Sequence, residues 1–283
     1  MTVPQSVGVV GGGRMGAGIA QVFAALGSSV TIAESADQDA ALNRVFSGLE
    51  RAHERGKLST DPGEILARVS TVAGPADLPP ALDLVVEAVP EIPSLKVDVL
   101  ALIDKTVSGD TVIASNTSSI SIAELGAALA DPSRFIGMHF FNPVPASTLV
   151  EIVRAPATST VVVEQVRGWV SLLGKTEVLV NDSPGFATSR LGVCLGLEAI
   201  RMLEEGVADA DSIDRAMELG YKHPMGPLRS TDLVGLDVRL AIAEHLASTL
   251  GDRFAPPQLL RDKVARGELG RKSGRGFHDW EVR

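Results

Sequence analysis

The sequence predicts an α/β fold: a doubly wound, largely parallel sheet followed by a smaller all-helical domain. Three observations predict it. Strand-like and helix-like patterns alternate from residue 7 to residue 180, as expected of a sheet with helices on both faces. The first strand runs directly into a glycine-punctuated turn and then a helix. After "NDSPGF" (181–186) the strand alternation stops and only helical spacings remain.

Val7, Val9 and Val10 make a short buried-strand pattern, and Gly11, Gly13 and Gly16 follow it as G-x-G-x-x-G. Gly11 allows the tight turn, Gly13 lets backbone N–H groups approach a pyrophosphate, and Gly16 lets the helix lie close on the strand. The helix from Met15 to about Leu26 aims its positive N-terminal pole at those phosphates, and Arg14 and Met15 are expected among the cofactor contacts. A glycine fingerprint placed between strand and helix is the mark of a Rossmann-type dinucleotide site. Residues 29–33 form a second strand pattern that ends at Glu34. An acid at this tip binds a ribose 2′-hydroxyl and repels a 2′-phosphate, so NAD is expected rather than NADP. The alternative is an ordinary glycine turn beside a solvent-exposed Glu.

The remaining elements follow in order. Residues 37–55 read as a helix, "KLSTDPGE" (57–64) as a loop, and "LDLVVEAV" (82–89) as a central strand with aliphatic residues on both faces. A helix starts near Ser94, beside Pro93, and runs to about Lys105. Residues 111–115 read as a strand, 120–129 as a helix, and 134–140 as a strand entering the loop "FNPVPAS". Residues 149–154 and 177–180 complete the sheet, with a helix at 160–173 between them. A boundary near Pro184 divides the chain into 1–183 and 184–283. Beyond it, 185–206 reads as one long helix, 209–220 as another with Asp209 or Asp211 as N-cap and Gly220 as stop, and 226–252 as further helices. This helical part cannot bind a dinucleotide alone. It is expected to cover the cofactor cleft and to offer an apolar surface for a homodimer.

Composition narrows the function. The chain has 283 residues, 45% hydrophobic and 22% charged, enough apolar material for a sizeable core. A net charge of −9 argues against a general binder of nucleic acid or anionic membrane. The single cysteine, Cys194, excludes an intramolecular disulfide and suits a reducing compartment, so a cytoplasmic location is expected. Its apolar neighbours in helical spacing read as buried packing. No apolar run reaches the ~18–20 residues of a membrane span, and the first residues lack an export signal. No spacing of His, Cys, Asp and Glu resembles a metal site, and no metal is expected. His53 reads as surface, while His223, His245 and His278 lack partners that would suggest metal ligation or catalysis.

Eight segments occur in order across nearly the whole chain: "GGGRMGAGIAQ", "VVEAVPE", "ASNTSS", "RFIGMHFFNPVP", "LVEIV", "DSPGF", "YKHPMGPLRSTDLVGLD" and "LGRKSGRGF". Together they resemble the L-3-hydroxyacyl-CoA dehydrogenase family, most of all its short-chain 3-hydroxybutyryl-CoA type. The resemblance implies NAD-dependent oxidation of a 3-hydroxyacyl-CoA to the 3-oxoacyl-CoA, and the reverse.

The chemistry itself asks for a base that takes the hydroxyl proton as hydride leaves carbon. His139 stands at the end of a strand, where it faces a cofactor crevice, and its ordinary pKa of ~6.5 suits the task. Glu151 lies in the apolar run "VEIV", where a lone charge is costly. Read from the residues alone, a core histidine bonded to a carbonyl and a Glu facing water stay equally open. The resemblance makes the two a catalytic dyad. It also assigns Ser118 to the substrate hydroxyl and the nicotinamide end, and Asn116 to a supporting place, although both also suit a local turn. Glu91 and Lys96 match positions near the nicotinamide and its ribose. Locally, Glu91 suits the start of a helix and Lys96 a solvated helix face. Asn142 matches another cofactor contact, and Lys272 a distant one from the helical domain.

One residue departs from the family pattern. Ser189 stands where the family commonly has an Asn that reaches the catalytic His and the substrate thioester. A hydroxyl can still donate to the thioester oxygen, directly or through water, but the usual oxyanion contact is put in doubt. The CoA phosphates need cations, and Arg51, Arg55 and Lys57 offer them; Arg51 and Arg55, four apart, share a helix face. Arg55 matches a CoA-contact position of the family. The alternative is a charged, solvated helix with Glu50 and Glu54 as partners. Two rival functions stand beside the acyl-CoA reading: a gulonate-type sugar-acid dehydrogenase on the same scaffold, and a non-catalytic NAD-binding structural protein.

Overall fold

Strands β1 (Ser6–Val10), β2 (Ser29–Ala33), β3 (Val69–Val72), β4 (Leu84–Glu87), β5 (Val112–Ser115), β6 (Phe135–Phe140), β7 (Leu149–Arg154) and β8 (Thr176–Asn181) form one sheet in a computed structural model that describes residues 2–281. Their order is β3-β2-β1-β4-β5-β6-β7-β8. All pairs are parallel except β6 with β7. The order reverses between β1 and β4, so a crevice opens outside the carboxyl ends of these strands. β4, β5 and β6 are buried along their whole length, as strands covered on both faces must be.

The chain divides into two units, Met1–Ser183 and Pro184–Arg283. The first holds the sheet and six helices: α1 (Arg14–Leu26), α2 (Gln38–Glu54), α3 (Pro62–Leu66), α4 (Pro93–Thr106), α5 (Ile122–Gly126) and α6 (Thr160–Leu172). Its core joins Val9, Ile19, Phe23, Ile32, Val45 and Val86. Two elements differ from the sequence reading. The stretch 57–64 is not all loop, because Asp61 accepts hydrogen bonds from the N–H groups of Gly63 and Glu64 and starts α3 with Pro62 in its first turn. β3 was not expected at all. It is a short, half-exposed strand pairing only with β2, so its pattern carries little alternation.

The second unit is helical: α7 (Thr188–Glu204), α8 (Ala210–Gly220), α9 (Pro227–Val234), α10 (Leu236–Leu250) and α11 (Gln258–Ala265). Its core joins Val193, Leu197, Ile200, Ile213, Leu228 and Leu246. α7 starts three residues after the expected 185, because Gly185 and Phe186 take positive φ of 73° and 51°. Asp209 caps α8 by accepting from the Ser212 N–H. α8 stops at Gly220, as expected.

One further expectation is corrected here. Cys194 is exposed rather than buried. The buried stripe of α7 runs through Val193, Gly196, Leu197 and Ile200, and Cys194 is rotated about 100° from Val193. His278 is held within the second unit: its Nε2 lies 2.8 Å from Asp214 Oδ2, and its backbone N–H donates to Asp232 at 2.9 Å. Those partners are distant in sequence, so no local spacing announces them. Among the described residues, no helix is long and apolar enough to cross a membrane.

Candidate active site

The glycine turn is built as its residue types require. Gly11 has φ of +100°, and a Cβ there would lie 2.9 Å from the Ala88 carbonyl oxygen. A Cβ on Gly16 would stand 1.8 Å from the Gly11 oxygen, so only glycine lets α1 rest on the turn. A Cβ on Gly13 would meet nothing within 4 Å. The fold therefore does not need glycine at 13, and the space there suits a group approaching the N-terminus of α1. Arg14 is exposed and Met15 half-buried in the first turn. Glu34 closes the far side. Its carboxylate accepts the Gly12 N–H and the Ala36 N–H, both at 2.8 Å. The Ala36 N–H, then the Gly12 N–H, hold this carboxyl below its ordinary value against the opposite push of burial, with Arg44 adding to the effect. Arg44 also donates to the Gly12 carbonyl at 3.1 Å. An open cradle at a helix N-terminus with an ionised acid at the β2 tip fits a dinucleotide with an unphosphorylated ribose.

His139 lies next to the last residue of β6, and Glu151 lies directly opposite it on antiparallel β7. Opposed residues of an antiparallel pair point to the same face. The His139 Nδ1 and Glu151 Oε2 atoms are 2.8 Å apart, with side chains 9% and 0% exposed. An ionised carboxylate only accepts, so Nδ1 carries the hydrogen and Nε2 is the basic nitrogen. The Phe141 ring packs against the imidazole at a centroid distance of 4.3 Å, which further fixes the ring. Because β1, β4, β5 and β6 are parallel, His139 stands on the same edge of the sheet as the glycine turn.

The turn after β5 occupies that edge as well. Asn116 Oδ1 accepts the Phe140 N–H at 2.8 Å, so it pins the backbone beside His139. Glu91 organises the next three residues. Its Oε1 accepts the Thr117 hydroxyl at 2.5 Å, the Ser118 N–H at 2.8 Å and the Ser119 N–H at 3.2 Å. The Ser118 hydroxyl reaches the same oxygen at 3.2 Å. Burial pushes the Glu91 carboxyl up, but Lys96, the Thr117 hydroxyl and the Ser118 N–H hold it below its ordinary value. The solvated-face reading of Lys96 is wrong: the side chain is 1% exposed and its Nζ lies 2.7 Å from Glu87 and 3.3 Å from Glu91. Glu87, fully buried at the end of β4, also accepts the Ser115 hydroxyl at 2.5 Å. The sequence reading missed Glu87 and Thr117. An acid inside the aliphatic run "VVEAV" was the available signal.

A groove of about 1210 Å³ in the first unit is lined by Arg14, Arg44, Arg51, Arg55 and Lys57, with Asn142 at its wall. It brings Arg51 and Arg55 together with two expected cofactor residues, Arg14 and Asn142. Arg44 was missed; its bond to the Gly12 carbonyl, 32 residues away in the chain, has no local signal. In the second unit, Ser189 sits in the first turn of α7, and Lys272 is ion-paired with Asp237 at 2.6 Å. Among the described residues, no three His, Cys, Asp or Glu gather as a metal ion would need.

Comparison with known proteins adds the following. The sequence profile described as 3-hydroxyacyl-CoA dehydrogenase, NAD binding domain, matches residues 6–183, and that of the C-terminal domain matches residues 185–280. A 3-hydroxybutyryl-CoA dehydrogenase of Mycobacterium tuberculosis is 42% identical over 283 residues, covering 98% of each chain. The mitochondrial hydroxyacyl-coenzyme A dehydrogenase of Sus scrofa is 38% identical over 287 residues, covering 97% of this chain and 91% of the other. The crystal structure of (S)-3-hydroxybutyryl-CoA dehydrogenase from Ralstonia eutropha is similar with a TM-score of 0.93 at 42% identity, over 98% of this chain and 99% of that one.

Proposed function

The chain belongs to the 3-hydroxyacyl-CoA dehydrogenase family, and on that premise we propose how its residues divide the reaction. The reaction is the NAD-dependent oxidation of a short-chain 3-hydroxyacyl-CoA to the 3-oxoacyl-CoA, and its reverse. Gly11, Gly13, Gly16 and the first turn of α1 hold the pyrophosphate, and Glu34 holds the adenosine ribose. NAD, when bound, accepts the hydride. His139 Nε2 takes the substrate hydroxyl proton. Glu151 keeps the Nδ1 hydrogen in place and stabilises the imidazolium that results. In the reverse direction the same imidazolium is the acid.

Ser118 orients the substrate hydroxyl, Asn116 positions the His139 backbone, and Glu91 with Lys96 and Asn142 shapes the nicotinamide end. Arg51 and Arg55 take the CoA phosphates, and Ser189 donates to the thioester oxygen. Lys272, paired with Asp237, is the distant cofactor contact of this reading. A homodimer forms through the second unit, where Leu191 and Tyr221 are 70% and 76% exposed. The reaction is assigned to the cytoplasm, which the single cysteine supports.

The observation that carries this reading is the buried His139–Glu151 contact of 2.8 Å. A steady-state assay tests it, with acetoacetyl-CoA or free sugar acids as substrate and NADH or NADPH as donor. Turnover of acetoacetyl-CoA with NADH is expected. Turnover of gulonate-type acids instead would favour a sugar-acid dehydrogenase. NADH binding with no turnover of either would favour a structural role.

A further inference from the structure

Residues 141–148 join β6 to β7 and carry the chain from His139 to Glu151. The segment is neither strand nor helix and contains Pro143 and Pro145, which bring no N–H groups of their own. It turns at Pro143, whose carbonyl accepts the N–H groups of Ala146 and Ser147 at 3.0 and 2.9 Å. The Val144 and Ser147 carbonyls then need donors from elsewhere.

Lys175 supplies them. Its ammonium donates to the Val144 carbonyl at 2.7 Å and to the Ser147 carbonyl at 2.5 Å. The lysine is itself fixed on both sides. Gly174, with φ of +68°, closes α6, and the Lys175 N–H donates to the Val170 carbonyl at 3.2 Å. The next residue, Thr176, opens β8 by donating to the Thr148 carbonyl at 2.6 Å. Burial holds the Lys175 ammonium below the ordinary lysine value. Placing a charge there is costly, and the two loop carbonyls offset the cost.

A second anchor meets the loop from α1. Val144 is 2% exposed, while its neighbours Pro143 and Pro145 are exposed. A Cβ on Gly18 would lie 2.9 Å from Val144 Cβ, so the missing side chain lets Val144 dock on the helix. Residues 142–146 line the basic groove together with Arg51 and Arg55, and Lys175 does not line it. Lys175 therefore acts on the groove from behind. His139 and Glu151 are held differently, by the pairing of β6 with β7.

We propose that Lys175 is a positioning residue for acyl-CoA binding: its ammonium clamps the 142–147 loop into the shape that makes it a wall of the basic groove. The inference rests on the assignment of that groove to the CoA phosphates. Without the clamp the loop keeps its Val144 anchor but loses its fixed carbonyls, and the wall must be ordered each time the ligand binds. Such an ordering cost weakens binding and leaves the proton transfer at His139 alone.

The test measures kcat and KM at saturating NADH for acetoacetyl-CoA and for acetoacetyl-pantetheine, which has the same thioester without the nucleotide and its phosphates. Lys175→Met should raise the KM for acetoacetyl-CoA roughly tenfold with kcat and the KM for acetoacetyl-pantetheine little changed. Lys175→Arg, which can donate to both carbonyls, should stay close to wild type. A merely structural lysine would lower kcat through lost active protein and leave KM alone, and that result would overturn the inference. So would an unchanged KM, or an equal rise for both substrates. A wild type that binds the two substrates equally well would instead remove the CoA phosphates from the groove, and the inference with them. If Lys175→Met does not fold, Lys175→Gln decides: its amide can serve one carbonyl, so a smaller rise in the KM for acetoacetyl-CoA is expected, and a wild-type KM would refute the clamp.

Discussion

At the scale of single residues, the chemistry depends on a few polar atoms held in fixed places. Glu151 is fully buried, so its charge must be met, and His139 is the group that meets it at Nδ1. Replacing His139 by Gln keeps a polar side chain but removes the proposed base. The His139→Gln variant should lose roughly 10²–10⁴ in kcat while NAD affinity, measured by fluorescence titration, is retained. A kcat near wild type would mean that another group takes the proton. Glu34 makes a second residue-scale case. Its two backbone N–H partners keep it ionised, and a fixed negative charge excludes a 2′-phosphate. Glu34→Ala should therefore raise the KM for NAD and narrow the preference over NADP. An unchanged preference would remove Glu34 from the ribose site. Both residue types were legible in the sequence. What was not legible was Glu87, whose partner Lys96 lies on another element and whose burial no local pattern reports.

At the scale of elements, two packings matter. The first is the antiparallel turn of β7 onto β6, joined by residues 141–148. Only this direction sets Glu151 opposite His139. The second is the pairing of α4 with β4. Lys96 places its ammonium between Glu87, buried, and Glu91, 36% exposed. Lys96→Met leaves Glu87 as an uncompensated buried charge, which should cost about 3–5 kcal/mol of unfolding free energy in urea denaturation. The double variant with Glu87→Gln should recover part of this loss. If Lys96→Met were as stable as wild type, the ion pair would not hold α4 in place. The boundaries of most helices were readable because caps and prolines are local signals; Asp37 and Asp209 cap α2 and α8 through N–H groups three residues on. β3 was not readable, because a four-residue edge strand owes its existence to the neighbouring β2 rather than to its own periodicity.

At the scale of the whole molecule, each unit has its own core, and each leaves work for something else. The first carries a basic groove, lined by Arg14, Arg44, Arg51 and Arg55, that is proposed to take the CoA phosphates. The second exposes Leu191, Leu219 and Tyr221, more apolar surface than a lone helical unit needs. A dimer mass by light scattering is the expected outcome, and Leu191→Arg should shift the mass towards the monomer. A wild-type monomer at micromolar concentration would refute dimerisation.

The sequence by itself determined the doubly wound sheet, the helical second half and the glycine turn between β1 and α1, and it named His139 and Glu151 as the pair proposed to react. These follow from contacts between residues close in the chain, where hydrophobic period, turn chemistry and capping act. Only the tertiary structure decided that Cys194 faces outward, that Lys96 is buried against Glu87 and that His278 finds Asp214. Each of these depends on which distant segment packs against the residue, and burial and charge pairing are properties of that packing rather than of the neighbouring residues in the chain.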